Sequence, residues 1–176
     1  RTKLIGTQAV MASGVPSLIL RSGWLYSTHG DNYVRRLIDS LSYRNSVTLA
    51  DDYLGSPTST NFLASLTGDL LLQGIAAARA EQTTLGEWLR SHGGLYHAST
   101  LGVASKLQVG DQIVALCRQH GLPSVLQHLH GRPLSQLPSL APIPANCALD
   151  PTRLAMRFQL DLPRWQTDLG QQIELM

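Results

Sequence analysis

What this sequence is short of narrows its class before any motif is read. Only two cysteines occur, Cys117 and Cys147, far apart and in no Cys-x-x-Cys spacing. That pattern favours free thiols in a reducing cytoplasm over a disulfide framework. No apolar run approaches the roughly 20 residues that a membrane span requires, and no cleavage site of small residues follows the basic start Arg1-Thr2-Lys3. No cluster of Lys or Arg exceeds the pair Arg35-Arg36, and the formal net charge is only +2. A nucleic-acid surface needs a concentrated basic stripe, so neither nucleic acid nor membrane is expected as a partner. The chain also has no Gly-x-Ser-x-Gly elbow, no internal repeat and no Gly-x-Gly-x-x-Gly turn to cradle a dinucleotide phosphate. It opens without an initiator methionine, directly in a helical pattern, and so reads as a fragment.

What is present describes one globular domain: 176 residues, 43% hydrophobic and 15% charged, enough for a real core and too few for two. Leu4, Ile5, Ala9, Val10 and Ala12 recur at helical spacing over 2–13, with Ser13-Gly14 as the stop. Residues 17–21 form a short apolar run of the kind found in buried parallel strands, and Gly23-Trp24-Leu25-Tyr26 follows its end. Asp31-Asn32 can cap a helix through Val34, Leu37, Ile38 and Leu41. A strand over 47–49 leads to the polar loop Asp51-Asp52-Tyr53 and the turn Gly55-Ser56-Pro57-Thr58. A long helix over 59–80, a strand over 95–98 and a helix over 106–120 come next. Prolines dominate 131–144, which reads as an extended surface segment. Asp150-Pro151 opens a short helix, and a last helix runs from 163 to about 175. This alternation predicts an α/β fold with a partly parallel sheet.

Two polar groupings invite a metal reading. Cys117, His120, His128 and His130 match no structural zinc spacing and are expected at a helix end and in the loop after it. The pair Asp51-Asp52 could bind a divalent ion, but loop solvation and helix capping account for it as well.

Three ordered stretches resemble the dTDP-4-dehydrorhamnose reductase family of extended short-chain dehydrogenases. Arg1-Thr2-Lys3-Leu4-Ile5-Gly6 is similar to the family's Tyr-Gly-x-Thr-Lys-x-x-Gly-Glu helix. Leu20-Arg21-Ser22-Gly23-Trp24-Leu25-Tyr26, with Gly30-Asp31-Asn32-Tyr33-Val34 behind it, is similar to Arg-Thr-Ser-Trp-Val-Tyr and Gly-x-Asn-Phe. Asp51-Asp52-Tyr53-Leu54-Gly55-Ser56-Pro57-Thr58 is similar to Asn-Asp-Gln-x-Gly-x-Pro-Thr. A fainter match joins Pro144-Ala145-Asn146, Leu149-Asp150 and Leu162-Pro163-Arg164-Trp165 to the family's carboxy-terminal part.

The resemblance implies the C-terminal part of a Rossmann-like short-chain reductase. Residues 1–50 would complete the cofactor domain, and 51–176 would form most of a smaller, interleaving sugar-nucleotide lobe. It implies NADPH as cofactor, with NADH the other candidate, a dTDP-deoxysugar as substrate, and compatibility with a homodimer. Lys3 would be the catalytic lysine, lowering the pKa of a tyrosine one helical turn earlier and contacting the nicotinamide ribose. That tyrosine would stand ahead of Arg1, so the 176 residues alone are expected to be inactive. Trp24 would pack on the deoxysugar; Asn32, Tyr53, Pro57 and Thr58 would complete the substrate site. The departures are Tyr53 in place of glutamine, Ile143 in place of the arginine before Pro144, and Ala148 at an often-basic position. Arg153 or Arg157 could supply the missing charge. Two other readings stay open: a non-catalytic relative, such as the regulatory subunit of methionine adenosyltransferase, and a sugar-nucleotide epimerase.

Overall fold

A computed structural model describes residues 2–138 and 142–176. In chain order the elements are α1 (Thr2–Ala12), β1 (Leu18–Arg21), β2 (Leu25–Tyr26), α2 (Tyr33–Leu41), β3 (Ser46–Ala50), β4 (Leu54–Gly55) and β5 (Thr58–Ser59). They continue with α3 (Thr60–Ala80), α4 (Leu85–His92), β6 (Gly94–His97), β7 (Ala104–Ser105), α5 (Lys106–Gln119), β8 (His128–Arg132), β9 (Asn146–Cys147), α6 (Thr152–Phe158) and α7 (Trp165–Glu174). Of the proline-rich stretch 131–144, residues 139–141 lie outside the described part, as does Arg1 of the opening match.

The fold is α/β, and its strand pairs are parallel with one exception. β1 runs beside β6, β2 beside β5, and β3 beside β8. β4 pairs in parallel with β9 and antiparallel with β7. Helix starts follow local chemistry. Asn32 caps α2 by accepting from the Arg35 amide at 3.2 Å. Ser59 caps α3, and Ser105 with Gln108 forms a reciprocal capping box on α5. Each such cap satisfies amides that the helix leaves free.

Beyond the two-residue strands, two elements differ from what the sequence led us to expect. Residues 128–132 are a strand, not a loop and the start of an extended segment. Leu129 packs on the core from β8 while His128 and His130 stay on the outside, stacked at 5.7 Å. One apolar residue in five gave little periodicity to read. Helix α4 was not anticipated, although Thr84 and Glu87 form a capping box ahead of it.

Two apolar clusters fill the interior. One joins Tyr26, Val34, Leu37 and Leu41 to Val109, Ile113, Cys117, Trp165, Leu169 and Ile173. The other joins Leu66, Leu70, Trp88, Tyr96, Leu154 and Phe158, with Leu18 and Leu20 packed against it. The first cluster joins residues from before and after residue 50, and the second has Leu18 and Leu20 laid against it from before. Helix α1 buries no residue of its own, and Leu4, Ile5, Val10 and Met11 are exposed. Its tie to the sheet is Arg21, which donates to the Thr7 hydroxyl at 3.2 Å.

A buried carboxylate joins α7 to the strands beside the first cluster. Asp168 is 2% exposed and accepts from the Tyr26 hydroxyl at 2.7 Å, the Ser59 amide at 2.9 Å and the Ser59 hydroxyl at 2.7 Å. It also lies in the first turn of α7, where the helix dipole favours negative charge. Burial, together with the Asp168 carboxylate, pushes the Tyr26 phenol far above its usual pKa, so it stays a donor. Asp168→Ala would leave three buried donors without this acceptor and should cost about 3 kcal/mol or more. Urea denaturation reads this directly; an unmoved midpoint would show that the carboxylate holds nothing together.

Candidate functional site

Past the end of β1 the backbone turns sharply at Trp24, which adopts φ +47°. Left-handed backbone costs a bulky residue on the order of 1 kcal/mol, so the surroundings must impose it. They do. The carbonyl of Trp24 accepts from the Thr58 amide at 3.3 Å, and the next residues pair with β5. The loop opposite is fixed just as firmly. Ser56 bonds both polar groups of the Leu149 backbone, the Pro57 carbonyl accepts from the Thr100 hydroxyl at 2.6 Å, and the Thr58 hydroxyl donates to Ser56.

Trp24 is packed tightly. A Cβ on Gly55 would overlap Cε2, Cδ2 and Nε1 of the indole, so only glycine lets the loop lie against the ring. Tyr53 meets the indole edge-on, ring centres 4.9 Å apart. The ammonium of Lys106 sits over the indole at 3.7 Å, over the Tyr33 ring at 3.9 Å and 6.0 Å from that of Tyr53. Such contacts are attractive because the aromatic faces carry negative charge. Around this group lies a cavity of about 40 Å³ lined by Trp24, Leu25, Tyr26, Tyr33, Val34, Pro57, Lys106 and Val109. It has room for water but not for a hexose.

Two polar groups in this cluster lack their natural partners. Among the described residues the buried indole N–H of Trp24 has no acceptor in hydrogen-bond geometry, though it lies close enough to Tyr53 to act on that phenol. Burial, with a further push from Arg36, lowers the Lys106 pKa from 10.5 to about 8. Lys106 is the first residue of α5, where a helix disfavours positive charge. Its backbone is pinned from two sides: its amide donates to Tyr53 O at 3.2 Å and its carbonyl accepts from the Tyr33 hydroxyl at 3.1 Å. Burial raises the phenols of Tyr33 and Tyr53, so both remain protonated.

The residues expected from sequence divide into those this site gathers and those it does not. Trp24, Tyr53 and Pro57 come together. Thr58 stands beside them, but its hydroxyl is fully buried and committed to Ser56; its role here is to hold Trp24. Asn32 spends its side chain on the α2 cap and on Ser27 and His29 carbonyls. Lys3 is exposed on α1, one turn before Thr7. Ile143 lines a separate surface cavity with Asp52 and Ala145, and the carbonyl of Ala145 accepts from Leu54 next to Tyr53. Neither proposed substitute for the missing arginine reaches the indole's cavity. Arg153 lies over the Tyr96 ring and Arg157 donates to Ser91 O, both on the side of β6 and α4.

The sequence reading missed Lys106, Tyr33 and Gly55. A signal existed for the first: Ser105 and Gln108 mark a helix start, and a lysine just inside one is out of place. For metals, Asp52 accepts from the Leu134 amide at 2.6 Å and Cys117 is buried in α5 with its thiol pKa raised by desolvation. Among the described residues no three of His, Cys, Asp and Glu gather as a metal would require.

The RmlD substrate binding domain matches residues 1–176. The chain belongs to that family. It is 27% identical over 165 residues to the dTDP-4-dehydrorhamnose reductase of Escherichia coli, covering 94% of this chain and 51% of the relative. The chain therefore spans about half the length of the curated relative it matches. Its fold superposes on that of a dTDP-4-dehydrorhamnose reductase from Clostridium acetobutylicum with a TM-score of 0.78, at 24% identity over 99% of this chain and 54% of that one. The Bacillus anthracis dTDP-4-dehydrorhamnose reductase, solved in complex with NADP, gives 0.70 at 20% identity, covering 90% of this chain and 48% of that one. These likenesses show a Rossmann-like α/β fold for the described residues.

The contact between Gly55 and Trp24 yields a direct expectation for this domain. Gly55→Ala should displace the indole, lower stability by about 1–3 kcal/mol and shift tryptophan emission. The same substitution made in a Trp24→Phe background should leave the emission of the remaining tryptophans where it was. Unchanged emission in the single variant would mean that the ring is not held against the loop.

Proposed function

We propose that this chain forms the sugar side of an NADPH-dependent dTDP-4-dehydrorhamnose reductase. The intact enzyme would reduce the 4-keto group of dTDP-4-keto-6-deoxymannose to give dTDP-L-rhamnose, in the cytoplasm. The observation that carries this reading is Trp24, forced into left-handed backbone just past a parallel strand's carboxyl end, where α/β folds place ligands. An indole held there at a cost in backbone strain suits the apolar C–H face of a deoxysugar. The family match over the whole chain supports the same assignment.

The residues fit one end of the cofactor. No glycine-rich phosphate turn occurs within the 176 residues, but Lys3 is exposed on the helix that Arg21 ties to the end of β1. Its ammonium is free to hydrogen-bond a nicotinamide ribose and to favour the phenolate of a tyrosine one turn earlier. NADPH would supply the hydride. Tyr53 and Pro57 would border the sugar, Thr58 would keep Trp24 in place, and Asn32 would fix the start of α2 beside them.

A non-catalytic role is the second reading, favoured by the small size of the cavity and by Ile143 where a cation is expected. The intact protein distinguishes the two. NADPH absorbance should fall only when dTDP-4-keto-6-deoxymannose is added, and Trp24→Ala should raise KM about three- to tenfold. No oxidation with this sugar would refute the substrate, and none with any nucleotide keto-sugar would refute the enzyme.

A further inference from the structure

We propose that Lys106 is the residue that meets the phosphate oxygens of the nucleotide sugar, and that it does so by leaving the face of Trp24. This rests on the sugar-nucleotide reading above and adds to it a specificity-determining residue. The argument begins with the surroundings of the ammonium. Trp24 and Tyr33 face it at 3.7 and 3.9 Å, and Tyr53 lies farther out. The charged group that acts on it is Arg36 of α2, which is itself a cation. Two acids lie on that side: Asp31 is engaged with Arg36 at 3.1 Å, and Asp39 lines a separate cavity with Tyr33, Arg36 and Arg44. Among the described residues the only ion pair is that one, so Lys106 has no carboxylate of its own.

A desolvated cation at the start of a helix, beside another cation, is held there by aromatic faces alone. Cation–π contact offsets desolvation only in part, and an anionic oxygen would offset far more. The same cluster contains a second unmet demand, the buried indole N–H of Trp24. Both groups are donors. A ligand rich in acceptor oxygens would answer both, and a nucleoside diphosphate is such a ligand. The other basic candidates lie elsewhere: Arg153 on Tyr96, Arg157 on Ser91.

Geometry also requires the movement. The cavity holds about 40 Å³, and the ammonium occupies the ring face that a deoxysugar would use. The Lys106 backbone is pinned by Tyr53 and Tyr33, but its side chain has rotatable bonds to swing on. When phosphate oxygens take over the ammonium, the indole is uncovered for the sugar. Charge recognition and access to Trp24 are then one event.

The sign of the pH dependence follows. In the free protein Lys106 loses its proton near pH 8; a bound anion would raise that value, so binding takes up protons around pH 8 and weakens above it. The probe is dTDP, titrated calorimetrically into the intact protein. At pH 7, Lys106→Met should weaken binding about tenfold or more, while Lys106→Arg, which keeps the charge, should stay within about threefold. For the parent protein affinity should fall about tenfold between pH 8 and 9.5, with proton uptake visible in buffers of different ionisation enthalpy. Lys106→Met should show neither effect and, having lost a desolvated charge, should melt no lower than the parent. Equal affinity and an equal pH profile in Lys106→Met would overturn the role of Lys106 and leave the sugar-nucleotide reading standing. Failure of the folded parent itself to bind dTDP would overturn both. Should Lys106→Met not fold, Lys106→Arg decides: retained affinity with the pH fall above 8 abolished supports the proposal, and the parent's pH profile refutes it.

Discussion

The carboxylate of Asp168 connects parts of the chain that lie far apart in sequence. It sits on the last helix, yet its three bonds run to Tyr26, two residues beyond Trp24, and to Ser59, next to Thr58 and at the start of α3. The two short strands β2 and β5, which have only two residues each, would be poor structures alone. Two residue pairs cannot offset the entropy of ordering two strands. Held from behind by one acidic side chain, they become a fixed edge. Trp24 and the Pro57 turn project from that edge, and the strained backbone at Trp24 is affordable because both its neighbours are anchored.

The same logic explains the tight fit of the indole. Gly55 gives the loop its close approach, Ser56 and Thr100 tie the loop down, and Lys106 closes the ring from α5. Three separate segments thus define the surroundings of one side chain. Each contributes through a hydrogen bond or a contact that its own local structure has already set up: α5 starts at Lys106 because Ser105 caps it, and α2 presents Tyr33 because Asn32 caps it.

Much of this was legible in the sequence. The amphipathic helices from 33, 60 and 106 and the apolar strand before Trp24 carry periodicity and capping residues strong enough to read. The resemblance in the order Lys3, Trp24, Asn32, Tyr53 and Pro57-Thr58 pointed to the family. The two-residue strands were not legible, because no period fits in two positions. Strand β8 was hidden because His128, His130 and Arg132 are exposed and only Leu129 enters the core. Lys106 was passed over because a lysine in an amphipathic pattern ordinarily faces solvent; its enclosure depends on Tyr33 and Trp24, residues far from it in the chain. What the sequence could not express was which polar groups would end up without partners.

The strand pairing has a kinetic side. None of the pairs is a hairpin: Leu18 finds Gly94, Ser46 finds His128, and Leu54 finds Asn146. Each pairing requires a large loop to close before any ladder bond forms, and such topologies fold slowly. Helices α3 and α5, whose backbone hydrogen bonds are local, can form early; the strands must wait for them. The edge carrying Trp24 depends on Asp168 from the final helix, so it can be completed only after α7 has docked. On a ribosome, the edge carrying Trp24 would therefore take shape only once α7 has emerged.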